Sequence, residues 1–459
     1  MKIILILLYA KQIKMGVVQK NNKTLKTTAS RQQVFHSSRG MMLSFRVALS
    51  SLIVITLSSA APPRPLFSWA SVPLFQHLAS VNGTHGSEFP AERLSWLASR
   101  FPVVILEHAQ SMGAWAYNGP SGPGSTWGPA PFSPPGGYIE DHFASAAAAI
   151  KALNNSVTVL YYQQITGALP YFRASGAVNQ NKDWALDSGT CAPALAVAGQ
   201  AAPTPLGDIL PNYVTYAFDH TKDGVTDNFV ANFVNMTSST VLDGTFIDTA
   251  YCYSAAGQGD ASDATVRAMQ AAVPNKIVGY HTENAPFAGA SAAMSYTFAV
   301  PGKKKHPTSL QVGKPGKDTS GLAAVAWLDA NAAAGTISFA HIGDVAGGSD
   351  QVYSLAVFLA GAYNQSYFAF SSAEKTAPAW QQCDPAAATW PVFPTWCTGQ
   401  GYSPDYDRPL GEPLGPRVVT GGKLDEVTRS FRSGTKVTVE LSGSACSIAW
   451  ADGATTSCA

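Results

Sequence analysis

The run Leu242 to Ala250 (LDGTFIDTA) is apolar, closes on the carboxylate of Asp248 and leads at once into Thr249, Tyr251 and Tyr253. A carboxyl group at the open end of a buried strand can work as a base, a nucleophile or, when protonated, an acid. Such chemistry takes two carboxyl groups. Glu283, in HTENAP, is the leading partner for Asp248, and Asp219 (FDHTKDG) and Glu107 (VVILEH) stand in reserve. Asp219 also fits an ordinary turn, where Asp and Gly are common.

Further polar groups fall near the ends of other strand-like runs: His108, Gln163, Gln164, His220, His281, His341 and Asp344. Aromatic residues accompany them, among them Trp115, Tyr162, Tyr251, Tyr253 and Tyr280. Carboxylates, imidazoles and aromatic faces converging on one opening suit a sugar, whose hydroxyls take hydrogen bonds and whose C–H faces stack on rings. Two carboxyl groups flanking a glycosidic bond are what its hydrolysis requires. His108, Tyr162, Gln163, His220, Tyr251, Tyr280, His281 and His341 are therefore the candidate substrate-binding residues.

The same histidines could instead ligate a metal in a barrel hydrolase. The first predicted strand, however, ends in Glu-His-Ala-Gln and not His-x-His, and the remaining set lacks ligand spacing. The expectation is no metal and no cofactor. Nucleotide chemistry is disfavoured as well: there is no glycine-rich phosphate loop, and Gly313 to Ser320 (GKPGKDTS) lacks the required spacing. A Gly-x-Ser-x-Gly elbow is also missing from the sequence.

These residues need a frame that brings strand ends together. Strand-like runs are predicted at Val103–Glu107, Val157–Tyr162, Tyr213–Phe218, Thr245–Asp248, Lys276–Tyr280, Ser295–Val300, Thr336–Ala340 and Tyr367–Ser371. Amphipathic or alanine-rich helices are predicted between them at Glu140–Leu153, Asp227–Met236, Asp260–Val273, Gly321–Ala333 and Asp350–Ala362. Eight strands alternating with helices is the count that closes a (β/α)8 TIM barrel, an α/β fold whose chemistry sits at the carboxyl ends of the strands. Pro90–Ser99 reads as a lid helix under the barrel. Gly119–Gly137, rich in glycine and proline, and Thr166–Pro211 leave the carboxyl ends of strands and would form long loops over the active face. The alternation in Val437–Trp450 predicts a small antiparallel β appendage.

The bulk properties agree with one large globular unit. The chain has 459 residues, 46% hydrophobic and 13% charged, with a formal net charge of +1. That balance gives no global field for nucleic acid or an anionic membrane. Residues 1–40 read as a non-structural leader. Residues 41–61 read as a signal peptide, with Arg46 before an apolar stretch from Val47 to Leu57 and small residues before Pro62. The barrel then covers 62–408 and the β appendage 409–459. Membrane contact is expected only if the leader stays uncleaved.

An oxidising, extracellular destination fits the six cysteines. Sequence proximity suggests the bridges Cys383–Cys397 and Cys446–Cys458, leaving Cys191–Cys252, although six cysteines allow 15 pairings. Asn82, Asn154, Asn235 and Asn364 head N-glycosylation sequons.

Three stretches together resemble the hypothetical glycosyl hydrolases of TIM-barrel type: FPAERLSWLASRFPVVILEHAQ, LDGTFIDTA, and DYDRPLGEPLGP leading to FRSGTKVTVE. The resemblance spans roughly Phe89 to Trp450. It implies a sugar-cleaving barrel with a small β extension, an oligosaccharide or polysaccharide substrate, and an acid at the end of the fourth strand, which falls on Asp248. A second acid is expected at a later strand end, yet SYTFAV and YFAFSS carry none. That departure leaves open a non-catalytic glycan-binding barrel. Third comes a metal-dependent barrel hydrolase.

Overall fold

The first strand of the sheet is a run that periodicity alone does not reveal. In the computed structural model Phe75–Leu78 forms β1, followed by β2 (Val103–Leu106), β3 (Thr158–Gln164), the two-residue strands β4 (Gly167–Ala168) and β5 (Tyr216–Ala217), β6 (Gly244–Asp248), β7 (Ile277–His281), β8 (Ala292–Ser295), β9 (Ile337–Val345) and β10 (Ser366–Ser372). The structure describes residues 64–79, 89–108, 110, 137–168, 172–175, 181–184, 186, 216–248, 257–281, 289–295, 298, 320–345, 349–372, 402–420, 425–443 and 445–458.

Eight strands run parallel in the order β1-β2-β3-β6-β7-β8-β9-β10. The sheet closes on itself, because Leu74 bridges Phe368 in parallel and the Phe368 N–H donates to the Pro73 carbonyl at 2.9 Å. The fold is thus a (β/α)8 barrel. Its helices are α1 (Ala91–Arg100), α2 (Ile139–Leu153), α3 (Asp223–Ser238), α4 (Gln258–Ala272), α5 (Ser320–Ala334) and α6 (Ser349–Gly361).

Three sequence expectations are corrected. Tyr213–Phe218 supplies none of the eight barrel strands: of its described residues, Tyr216–Ala217 forms β5, which pairs antiparallel with Gly167–Ala168 as a ribbon after β3. The strand expected at Ser295–Val300 lies earlier, at Ala292–Ser295. Pro90–Ser99 is no lid; as α1 it is the ordinary crossover between β1 and β2. The missed first strand and the spurious third compensate, so β6 is still the fourth barrel strand and Asp248 still ends it.

Residues facing the lumen form a continuous aromatic column. Phe75 meets Phe339 at 5.0 Å between ring centroids, Phe339 meets Tyr367 at 5.9 Å, and Phe246 lies 6.1 Å from Tyr162. Phe67 seals the lower end against Tyr367. Residues of opposite parity face the helices: Tyr161 packs on Phe143 of α2, and the buried Phe229, Phe233 and Met236 of α3 lie on one helical face.

Within LDGTFIDTA, residues 242–248 run along β6 from floor to mouth. At the floor, Asp243 accepts the Val159 N–H at 2.8 Å and pairs with Lys151 at 2.7 Å. Gly244 follows because β7 passes so close that a Cβ there would lie 1.9 Å from the Ile277 carbonyl oxygen.

The chain ends in a five-stranded antiparallel sheet, β11 (Val418–Val419), β12 (Glu426–Ser430), β13 (Lys436–Glu440), β14 (Cys446–Ala449) and β15 (Thr455–Ser457). Val427, Val437, Val439 and Ile448 are buried on one face, as alternation requires. A disulfide joins Cys446 to Cys458, whose Cα atoms are 5.1 Å apart. Cys191, Cys252, Cys383 and Cys397 lie outside the described residues.

Glu140, in the first turn of α2, is a buried carboxyl group away from the lumen. Its two oxygens accept the Arg173 N–H at 2.8 and 3.0 Å. Burial pushes its pKa up to about 7 against the opposing effect of these hydrogen bonds. A raised carboxyl pKa means the folded state holds the proton more tightly than the unfolded chain.

Two outcomes follow. Replacing Gly244 by alanine forces the β6–β7 backbones apart and should cost about 3 kcal/mol or more, read from the denaturant midpoint. Stability carried by Glu140 is complete below its ordinary pKa of 4.5 and is lost as pH rises to about 7. Unfolding curves across that window should therefore show wild type losing stability relative to Glu140→Gln.

Candidate functional site

Asp248 reaches the mouth because β6 alternates: Thr245 and Ile247 face the helices, while Phe246 and Asp248 share the lumen side. Each of its oxygens has a partner. The Tyr162 hydroxyl donates to Oδ2 at 2.7 Å, and His281 Nδ1 lies 3.2 Å from Oδ1. Gln164 Nε2 donates in turn to the Tyr162 hydroxyl at 3.2 Å, while Gln164 Oε1 accepts from the N–H and hydroxyl of Thr166. The three strands β3, β6 and β7 are neighbours, so register alone aligns this chain of donors.

Burial acts to raise the pKa of Asp248, but hydrogen bonding and charge from His281, then the Tyr162 hydroxyl and the charge of His108, outweigh it and hold the group below the usual carboxylate value. The carboxylate is therefore ionised at neutral and mildly acidic pH.

A second carboxyl group sits nearby on the other side of β3. Glu107 follows β2, is buried, and is fixed through its own N–H, which donates to the Leu78 carbonyl at 2.9 Å. Its Oε2 contacts His108 Nδ1, and its Oε1 lies 3.8 Å from His77 Nε2. For His108 burial is the largest influence and lowers the pKa, yet the charges of Glu107 and Asp248 and a hydrogen bond donated to Glu107 together raise it. The His108 ring also lies 5.1 Å from that of Tyr162, which ties the two carboxyl groups into one cluster.

His77 belongs to the candidate site and was missed by sequence reasoning because its strand was missed. It is buried, and its ring lies 5.5 Å from His341 and 5.7 Å from Phe246. Burial, then repulsion from His341 and His108, holds its pKa well below the ordinary value, so it is neutral near pH 7. The available signal was the polar pair Gln76-His77 set within an apolar run.

Of the predicted site residues, the structure gathers Glu107, His108, Tyr162, Asp248, His281 and His341. It places others elsewhere. Gln163 faces α3, accepting from Asn232 at 3.2 Å, and the Tyr280 hydroxyl donates to Asp263 of α4 at 2.8 Å. His220 is buried between the Ile165 carbonyl and the Thr265 hydroxyl and stacks on Phe229 of α3; burial lowers its pKa to about 4. Asp219 Oδ1 accepts from the N–H and hydroxyl of Thr221 and from Gln258, which makes it a turn and helix clip. Glu283 and Tyr251 lie outside the described residues, as does Asn82. Among the described residues no group of three or more His, Cys, Asp or Glu is arranged to hold a metal, and no helix is long and apolar enough to cross a membrane.

The cluster can hold one carboxylate charged and a second carboxyl group beside an imidazole, in a mouth floored by aromatic rings. That arrangement supports proton transfer and attack at a polarised C–O bond.

No family model matches the chain, and no curated protein matches it. Solved structures with some similarity include the glycoside hydrolase domain of PelA from Pseudomonas aeruginosa, 15% identical over 66% of this chain and 94% of that one, TM-score 0.37. A noncanonic maltogenic α-amylase AmyB from Thermotoga neapolitana is 12% identical over 83% and 88%, TM-score 0.42. The ligand-free cyclic α-maltosyl-(1→6)-maltose hydrolase from Arthrobacter globiformis is 13% identical over 86% and 97%, TM-score 0.42. At these scores the assignment of a (β/α)8 barrel stands on the closed parallel sheet of this chain itself.

Proposed function

We propose that this protein is a secreted glycoside hydrolase that cleaves O-glycosidic bonds of an extracellular oligosaccharide or polysaccharide at the mouth of the barrel. The observation that carries the reading is the double hold on Asp248, one oxygen on Tyr162 and one on His281, at the end of the fourth strand. In this reading Asp248 is the charged carboxylate, acting as nucleophile or as base toward water. The proton for the leaving oxygen comes from the second carboxyl group, supplied by Glu107 or by Glu283 two residues beyond His281. The signal-peptide pattern read in the sequence at 41–61 and the Cys446–Cys458 bridge support passage through an oxidising compartment.

Release of reducing ends from a panel of polysaccharides tests it directly. Asp248→Asn should lower kcat by about 10²–10⁴-fold with the fold intact, the range for a lost acid or base group. Comparing Glu107→Gln with Glu283→Gln then identifies the proton donor. Full activity in Asp248→Asn would dismiss the mechanism, and glycan binding without any released reducing end would select the non-catalytic barrel, which the acid-free ends of β8 and β10 favour.

A pH profile gives an independent check. Because His281 helps hold the Asp248 pKa down, removing it lets that pKa rise. The acid limb of kcat/KM in His281→Gln should move to higher pH than in wild type, and an unmoved limb would show that Asp248 does not set it.

A further inference from the structure

A cleft of about 610 Å³ lies at the opposite end of the barrel, between its floor and the C-terminal sheet. Its lining includes Arg64, Trp69, Tyr363, Asn364, Glu412 and Pro413. The volume falls within the range of about 300–1,000 Å³ typical of small-molecule sites. One of its lining residues, Asn364, is exposed and heads the sequon Asn364-Gln365-Ser366.

The local backbone presents this asparagine. Tyr363 to Ser366 is a tight turn: the Ser366 N–H donates to the Tyr363 carbonyl at 3.0 Å, the Tyr363 N–H donates to Ser366 Oγ at 3.1 Å, and Gln365 takes a left-handed φ of 74°. The turn tip is thereby fixed with Asn364 on it. Trp69 then orients the amide. Its indole Nε1–H donates to Asn364 Oδ1 at 2.8 Å, and since an indole nitrogen can only donate, the oxygen must face Trp69 and Nδ2 must point away.

The other described sequons differ. Asn154 directs its Nδ2 onto the Ala98 carbonyl at 2.8 Å, while its Oδ1 accepts from the N–H and hydroxyl of Ser156. Asn235 lies within the helical backbone of α3 and not on a turn tip, while its sequon hydroxyl, on Thr237, is buried just as that of Ser366 is.

We propose that Asn364 carries an N-linked glycan whose first N-acetylhexosamine residues lie in this cleft, bridging the barrel floor and the C-terminal sheet. Attachment needs a lipid-diphosphate-linked oligosaccharide and the transferase of the secretory pathway. The asparagine nitrogen bonds to the sugar's anomeric carbon as the carbon–oxygen bond to the diphosphate breaks, the lipid diphosphate leaves with the electron pair, and one Nδ2 proton goes to a base. The ring of Tyr363 and the pyrrolidine of Pro413 offer apolar faces to the sugar C–H groups. Arg64 and the exposed Glu412 offer partners for its hydroxyl and acetamide groups. This site is remote from the mouth and does not depend on the chain being a hydrolase.

The full-length chain secreted from eukaryotic cells supplies the test. Peptide mapping after amidase release in heavy-oxygen water should show Asn364 converted to labelled Asp. From the native protein, release at Asn364 should be at least about tenfold slower than from the denatured protein, as expected of a group packed against folded structure. Trp69→Phe keeps a ring but deletes the indole donor and should speed native release at Asn364 alone. An unmodified Asn364, whether in secreted protein or because the chain never enters the pathway, would overturn the site. Equal release rates from native and denatured wild-type protein would overturn the cradle.

Discussion

Everything at the mouth depends on one closure. The Phe368 N–H donates to the carbonyl of Pro73, a residue with no N–H of its own to offer, and Leu74 bridges Phe368 to join the first strand to the last. Without that seam the sheet would be an open array with two unpaired edges, and residues on β1 and β9 would be far apart. With it, His77 and His341 sit ring to ring at 5.5 Å, and the aromatic column from Phe75 to Tyr367 fills the lumen. The packed lumen in turn sets the depth of the mouth. Phe246 lies directly beneath Asp248 on the same side of β6, so the carboxylate stands on a hydrophobic floor and its polar contacts all come from the strand ends around it.

That placement creates an electrostatic conflict which the cluster resolves locally. A carboxylate deprived of water is costly, and its usual response is to take up a proton. Asp248 keeps its charge because the imidazole of His281, the Tyr162 hydroxyl and the imidazole of His108 face it. Imidazoles crowded in one mouth cannot all be cationic, however. His77 gives up its proton chiefly through burial and then through repulsion from His341 and His108, while His108, flanked by Glu107 and Asp248, holds its own more tightly. The mouth therefore pushes the pKa values of chemically identical side chains in opposite directions by position alone. Groups that differ this way in proton affinity while lying side by side are suited to proton transfer.

Much of this was legible in the sequence where a periodic signal existed. The helices appear close to their predicted bounds because alanine-rich and amphipathic runs such as Ile139–Leu153 have few alternatives. LDGTFIDTA was readable because glycine, apolar core and terminal acid each had a distinct physical role, and the structure assigns them to a close backbone approach, the packed wall and the mouth. Tyr213–Phe218 misled because its alternation is truly β-like, but an antiparallel ribbon satisfies alternation as well as a barrel strand does. Phe75–Leu78 was passed over because Pro73 and the polar Gln76-His77 interrupt its apolar run, and those are the features that closure and the mouth require. Parity was also hidden: Gln163 and Tyr280 look like strand-end ligands in sequence, and only register shows them facing α3 and α4.

The C-terminal sheet shows the same economy of position applied to packing. Arg429 points inward from β12, nearly fully buried, and donates to the carbonyl oxygens of Leu359, Ala360 and Ala362 at the end of α6. Those carbonyls are the orphan acceptors that any helix leaves at its C-terminus, where a cation is also favoured by the helix dipole. Burial lowers the pKa of the guanidinium to about 10, which still leaves it charged at neutral pH. A buried arginine without partners would be strongly destabilising, so the sheet gains its charge compensation only when docked on α6. Helix α6 leads directly through the Tyr363–Ser366 turn into β10, the strand that makes the closing seam. The appendage is therefore a brace on the last helix of the barrel: by fixing where α6 ends, it fixes where β10 begins, and so the register with which Phe368 meets Pro73.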